Sequence, residues 1–166
     1  MRFGIGHDVH RLVKRRPLIL GGVTIPHKRG LLGHSDADVL THAITDALFG
    51  AAGLGDIGRH FPDSDPAFKG ANSIELLKLA YKKVRAAGFH FNNLDAVIIA
   101  ERPKLIDFMA EMEKNLAEVL ETHPSTINVK ATTTEGLGFE GKKRGISSWA
   151  IVSISKTKNP ATGEGK

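Results

Sequence analysis

Five consecutive apolar residues, Ala96-Val97-Ile98-Ile99-Ala100, constrain this chain more than any other segment. The run is rich in β-branched residues and ends at Glu101-Arg102-Pro103, so it reads as a strand covered on both faces. Helical segments stand ready to cover it. One spans about 37–52, with Val39, Leu40, Ala43, Ile44, Ala47, Leu48 and Ala51 on one stripe and Gly53 as its C-terminal cap. A second opens at the capping box Asn72-Ser73-Ile74-Glu75 and closes at Gly88. A third follows Pro103, with Leu105, Phe108, Met109, Met112, Leu116, Val119 and Leu120 aligned. Further strands are expected at 2–10, at 18–20 and 23–25 about the Gly21-Gly22 break, at 127–133 and at 146–155. The alternation predicts an α/β (α+β) fold, a two-layer sandwich of one mixed four- to five-stranded sheet with helices on one face. The domain covers 1–156; residues 157–166 are polar and turn-rich and read as a disordered tail. Phe49 and Ile106 fall off their stripes, either as ordinary exposed residues or as a second contact surface.

Composition narrows the chemistry. The chain has no cysteine, which excludes disulfides, thiolate metal sites and a cysteine nucleophile, so any zinc must use His and Asp or Glu. No apolar run is long enough for a membrane span, and Met1–His10 lacks a signal-peptide core. A soluble, cytoplasmic protein of bacterial type with no membrane partner is expected. The net charge is +5, but the basic residues are scattered outside Lys14-Arg15-Arg16, Lys82-Lys83 and Lys142-Lys143-Arg144. With only 6% aromatic residues to stack on bases, a small anionic substrate explains the charge better than nucleic acid.

Asp8-Val9-His10 lies in the first predicted strand, where residues two apart share a face and can converge on one ion. With His42 as a third ligand the set suits zinc and leaves a coordination position open. Periodicity alone places His42 on the polar side of its helix, in solvent; as a ligand it would need the chain or a partner folded over that face, with Asp38 or Asp46 as an acceptor for its other ring nitrogen. Ser35 or Asp36 is a natural N-cap for the same helix; alternatively His34 and Ser35 hold a phosphate at its N-terminus. Gly53-Leu54-Gly55-Asp56-Ile57-Gly58 matches G-x-G-x-x-G but follows a helix rather than a strand, which rules out a dinucleotide fingerprint. It reads as a surface connection or as a flap whose Asp56 and Asp63 accept hydrogen bonds from hydroxyls. Near the end, Lys130, Thr132, Thr133, Thr134 and Glu135 are ordinary strand residues or a phosphate and metal surface, with Glu135 suited to magnesium. The turn from Ala100 to Lys104 is a plain helix start or a seat for a base and a phosphate.

Together these segments resemble the 2-C-methyl-D-erythritol 2,4-cyclodiphosphate synthases of the non-mevalonate isoprenoid pathway, from residue 1 to about 156. The resemblance rests on Asp8-Val9-His10, Gly21-Gly22-Val23, His34-Ser35-Asp36, Leu54–Gly58, Phe61-Pro62-Asp63, Pro103-Lys104 and Val129–Glu135. It implies a homotrimer with active sites between subunits. It implies zinc on Asp8, His10 and His42, and magnesium or manganese at Glu135. The substrate would be a small nucleotide diphosphate, 4-diphosphocytidyl-2-C-methyl-D-erythritol 2-phosphate, whose 2-phosphate attacks the β-phosphorus and releases CMP. Cytidine would lie near Ala100, Pro103, Lys104, Leu105 and Ile106, with Glu101 and Arg102 as further substrate contacts. Thr132 and Thr133 would meet the diphosphate, with His34 and Thr133 stabilising the transition state. Asp56, Gly58 and Asp63 would hold hydroxyls, and Val9, Ser35, Ile57, Phe61, Pro62, Ser64, Asp65 and Thr134 would be further substrate contacts beside Asp8, His10, His34 and Glu135. Phe139 and Lys142 would close the substrate-contacting set.

One segment departs from the family pattern. Lys142-Lys143-Arg144 stands where a basic residue followed by a glycine or acidic turn is usual, and lysine is a point charge rather than a bidentate fork. The resemblance places this region at a trimer-axis cavity that accepts isoprenoid diphosphates. Two other functions use the same residues: a zinc-dependent nucleoside-diphosphate phosphoesterase, and a non-catalytic metal-dependent phosphate-binding module.

Overall fold

The computed structural model describes residues 1–62 and 64–157; Asp63 and the tail beyond Thr157 lie outside the described residues. In chain order the elements are β1 (Arg2–Lys14), β2 (Leu18–Leu20), β3 (Val23–Ile25), β4 (Arg29–Leu32), α1 (Val39–Ala52) and α2 (Ile57–His60), then α3 (Ser73–Ala86), β5 (Phe89–Ile99), α4 (Met109–Val119), β6 (Ile127–Thr132), α5 (Gly138–Gly141) and β7 (Gly145–Lys156). Five strands form one mixed sheet in the order β4-β1-β7-β5-β6; only β5 and β6 run parallel, and α4 makes the crossover between them. β2 and β3 form a separate ribbon. Its two-residue turn is Gly21-Gly22, both with positive φ, which a tight hairpin turn of this hand requires.

Two glycines set how the layers meet. Gly4 and Gly6 lie on the same face of β1 as Asp8 and His10, and α1 crosses directly over them. A Cβ on Gly4 would sit 2.0 Å from the Ala47 carbonyl oxygen, and one on Gly6 2.0 Å from that of Ala43. The helix backbone therefore touches the strand backbone. Held this way and covered by α3, α1 is buried almost all round, including Thr41, Thr45 and Phe49. Phe49 is neither exposed nor at a ligand surface, because the His60 ring stacks on it at 4.1 Å.

The strand at 96–100 differs from expectation in two ways. It begins at Phe89, behind polar Asn92-Asn93, where a register shift interrupts the ladder to β7. It is also covered on one face only. Ala96, Ile98 and Ala100 are buried under the helices, whereas Val97 and Ile99 are half-buried on the opposite face. That face carries Phe3, Ile5, Val9, Trp149 and Ile151, all exposed, with Ile5 paired to Ile151 and Val97 to Trp149. The short helices α2 and α5 were not expected, nor were β4 and the extension of β1 to Lys14, which pair with each other. Among the described residues no helix is long and apolar enough to cross a membrane.

Candidate metal centre and flanking cavities

Because α1 rests on Gly4 and Gly6, its first turns pass over the next inward residues of β1, Asp8 and His10. His42 is thereby turned onto the strand and is only 14% exposed, not solvated. Asp8 Oδ2 lies 2.9 Å from His42 Nδ1 and 3.0 Å from His10 Nε2, and the two ring nitrogens are 3.2 Å apart. Donors bound tetrahedrally to zinc at 2.0–2.1 Å stand roughly 3.4 Å from one another. The observed triangle needs to open by only a few tenths of an ångström to accept the ion. It is the one cluster of three or more such groups among the described residues.

The electrostatics of the cluster follow from its burial and pairing. Burial pushes the Asp8 carboxyl up, but hydrogen bonds and charge from His10 and His42 outweigh it and hold the group well below the usual carboxylate range. Burial pushes the His42 imidazole down, and the Asp8 hydrogen bond, with the charges of Asp8, Asp38 and Asp36, raises it above its ordinary value. The site thus presents an ionised carboxylate and favours a cation beside it.

The surroundings of His42 correct two expectations. Its Nε2 faces Ser73 Oγ at 2.8 Å and Ser35 Oγ at 3.1 Å, not Asp38 or Asp46. Asp38, not Ser35 or Asp36, caps α1, accepting from Thr41 N–H and Oγ1–H. The same carboxylate accepts the Gly21 and Gly22 N–H groups, so it ties the ribbon to the helix. Burial pushes its carboxyl up. Asp46 accepts the Ile57 N–H and fixes the start of α2.

A cavity of about 550 Å³ opens over the cluster, lined by Asp8, His10, His34, Ser35, His42, Asp46, Ile57, Gly58, Phe61 and Pro62 among others. His34 Nε2 reaches the Asp65 carbonyl oxygen at 3.3 Å. Arg16, in the sequence only part of a basic run, donates to the carbonyl oxygens of Gly33 (3.3 Å) and Ser35 (2.8 Å) and so brackets His34. Asp56 is exposed outside this lining, capping α2 through Arg59 N–H, and Ser64 is exposed. Val9 points to the other face of β1. It lines a third cavity with Arg11, Arg29, Phe139 and Arg144.

The remaining predicted residues gather elsewhere. Ala100 to Ile106, Met109, Ala131, Thr132, Thr133 and Lys143 line a cavity of about 450 Å³. Off-stripe Ile106 is an exposed part of that wall. Glu101 pins its two loops together by accepting from Thr134 N–H (3.0 Å) and Gly136 N–H (3.1 Å). Glu135 is exposed, and its carboxylate accepts from Thr133 Oγ1 at 2.8 Å. Lys142 is exposed and lines none of these three cavities; Lys143 and Arg144 do. The metal cavity and the Ala100–Ile106 cavity share no residue.

Comparison with known proteins identifies the family. The sequence matches the YgbB family over residues 1–155. It is 61% identical over 156 residues to the 2-C-methyl-D-erythritol 2,4-cyclodiphosphate synthase of Syntrophotalea carbinolica, covering 94% of this chain and 95% of that one. A solved structure described as the CDP-bound form of a 2-C-methyl-D-erythritol-2,4-cyclodiphosphate synthase superposes with a TM-score of 0.85 at 38% identity, over 93% of this chain and 100% of the other. The bifunctional IspDF of Campylobacter jejuni superposes with a TM-score of 0.91 at 51% identity; 95% of this chain is covered, and it spans 42% of that longer protein. Full-length identity of this order, on the same fold, makes this chain a member of the YgbB family, the 2-C-methyl-D-erythritol 2,4-cyclodiphosphate synthases.

Proposed function

We propose that this synthase converts 4-diphosphocytidyl-2-C-methyl-D-erythritol 2-phosphate to the 2,4-cyclodiphosphate and CMP with zinc held by Asp8, His10 and His42. The observation that carries the reading is the convergence of those three donors on one cavity wall with His34. An oxygen of the 2-phosphate attacks the β-phosphorus, and the bond from that phosphorus to the bridging oxygen breaks, leaving that oxygen on CMP. The attacking phosphate is largely ionised at neutral pH (second pKa about 6), so the site needs no strong base. Its task is to bring anions together and offset charge at the transferring phosphorus. Zinc supplies Lewis-acid polarisation of a phosphate oxygen, and magnesium or manganese at Glu135 suits a lone carboxylate completed by substrate phosphates.

The other residues orient the substrate. Cytidine rests in the Ala100–Ile106 cavity, with the diphosphate running past Thr132 and Thr133. His34 and Thr133 donate hydrogen bonds to the phosphate oxygens as charge develops. Ile57 and Gly58 border the sugar diphosphate at the metal cavity. Since the two cavities are separate within a chain, the nucleotide cavity of one subunit would complete the metal cavity of its neighbour. A homotrimer burying the apolar sheet face of Ile5, Val97, Trp149 and Ile151 supplies that juxtaposition. The cavity of Phe139, Arg11, Arg29 and Arg144 would then lie toward the axis, where its arginines suit an isoprenoid diphosphate. The test is CMP release from the cytidyl substrate with and without chelator. A linear rather than cyclic product would replace this reading by a zinc phosphoesterase, and turnover unaffected by metal removal would refute it.

A further inference from the structure

We propose that Ser73 and Asp36 form a hydrogen-bond relay that orients His42 and directs its Nδ1 lone pair at the metal; the inference rests on the zinc reading above. Ser73 is the first residue of α3 and is fully buried, although no part of α3 reaches Asp8 or His10 through the hydrogen bonds of the cluster. Its hydroxyl stands 2.8 Å from His42 Nε2 and donates to the Asp36 carboxylate. That direction follows from the inventory of donors, because an ionised carboxylate can only accept. With its proton committed to Asp36, Ser73 Oγ offers His42 only lone pairs. His42 Nε2 must then be the donor, which leaves Nδ1 of the neutral ring free to bind.

Asp36 is itself held firmly. Its carboxylate accepts the Ser73 N–H at 3.0 Å and the Asp38 N–H at 3.2 Å, while its own N–H donates to the Ala71 carbonyl at 3.1 Å. Ser35 Oγ, 3.1 Å from the same ring nitrogen, accepts the Ala37 N–H and stands as a second acceptor. The relay thus joins the loop before α1 to the start of α3 behind the imidazole. Ser73 and Asp36 are positioning residues, not ligands.

The test measures zinc affinity of the full-length protein by competition with a chromophoric chelator, and the His42 Nε2–H proton resonance of the zinc-loaded form. Ser73→Ala should weaken zinc binding about 10- to 100-fold and make the Nε2–H proton exchange faster with water. Asp36→Ala removes the acceptor of the Ser73 hydroxyl and carries the same expectation should Ser73→Ala fail to fold. Asp8→Ala is run in parallel. If Asp8→Ala loses zinc while folded Ser73→Ala binds it like the unaltered protein with an unchanged resonance, the relay is refuted. If Asp8→Ala itself binds zinc normally, the metal-site reading falls instead.

Discussion

Gly6→Ala tests whether the close contact of α1 with β1 builds the metal centre. A Cβ there would sit 2.0 Å from the Ala43 carbonyl oxygen and 2.7 Å from the Ala47 nitrogen, where contacts under 3.0 Å are essentially not seen. All of these are backbone atoms, so no side chain can swing aside and the helix must retreat by about 1 Å or more. Overpacking of this kind costs about 1–3 kcal/mol. The functional effect is larger in proportion. His42 adjoins Ala43, and metal–ligand distances tolerate only about 0.2 Å, so a shift of this size takes its Nδ1 out of reach. Zinc affinity should fall by more than the roughly 10- to 100-fold typical of losing a partner behind a ligand. Urea unfolding gives the first quantity and chelator competition the second. Gly4→Ala controls for packing alone, since it strikes Ala47 and Ala51, a turn farther from His42; it should cost similar stability and less affinity. A Gly6→Ala protein with unaltered stability and zinc affinity would refute the reasoning.

Three further outcomes are expected. In metal-free protein, Asp8 stabilises the fold above the unfolded carboxylate value of about 3.9, and this is lost as pH falls through its depressed folded value. His42 contributes fully below the unfolded imidazole value of about 6.5, and this is lost as pH rises through its raised value. The contribution of this pair to the melting temperature of chelator-treated protein should therefore be greatest between those values and vanish in Asp8→Asn; a pH profile that Asp8→Asn leaves unchanged counts against the ion pair. Glu101→Ala removes the acceptor for Thr134 and Gly136 N–H, loosening the loop of Thr133; CMP release should drop more than about tenfold, of order 1.4 kcal/mol, with zinc affinity unchanged. Ile151→Asp places a charge on the uncovered apolar face and should yield monomers by sedimentation with negligible turnover. Full turnover by such monomers would contradict a site shared between subunits.

The hydrophobic periods exposed the helices and the Val97–Ile99 strand because burial of a stripe is a local property of a sequence. They failed at Asn92-Asn93, where a polar stretch continues the strand through an irregular register, and at Phe49, whose cover comes from His60 rather than from its own helix. Periodicity also expected solvent around His42, since it assumes a helix has one dry face; α1 has almost none that is wet. Asp36 and Ser73 read as cap and helix-start residues, and nothing local distinguishes a serine that ends against an imidazole from one that merely opens a helix. What the sequence determined by itself was the main strands and the three long helices, the Asp8–His10 pair and the residue inventory of the family, all set by neighbours along the chain. The family resemblance pointed to His42 as the third ligand, but only the tertiary structure decided how it is turned onto that pair, that Ser73 and Asp36 stand behind it, and that the nucleotide cavity lies apart. Those relations depend on two glycines letting one backbone rest against another, a contact between segments some forty residues apart.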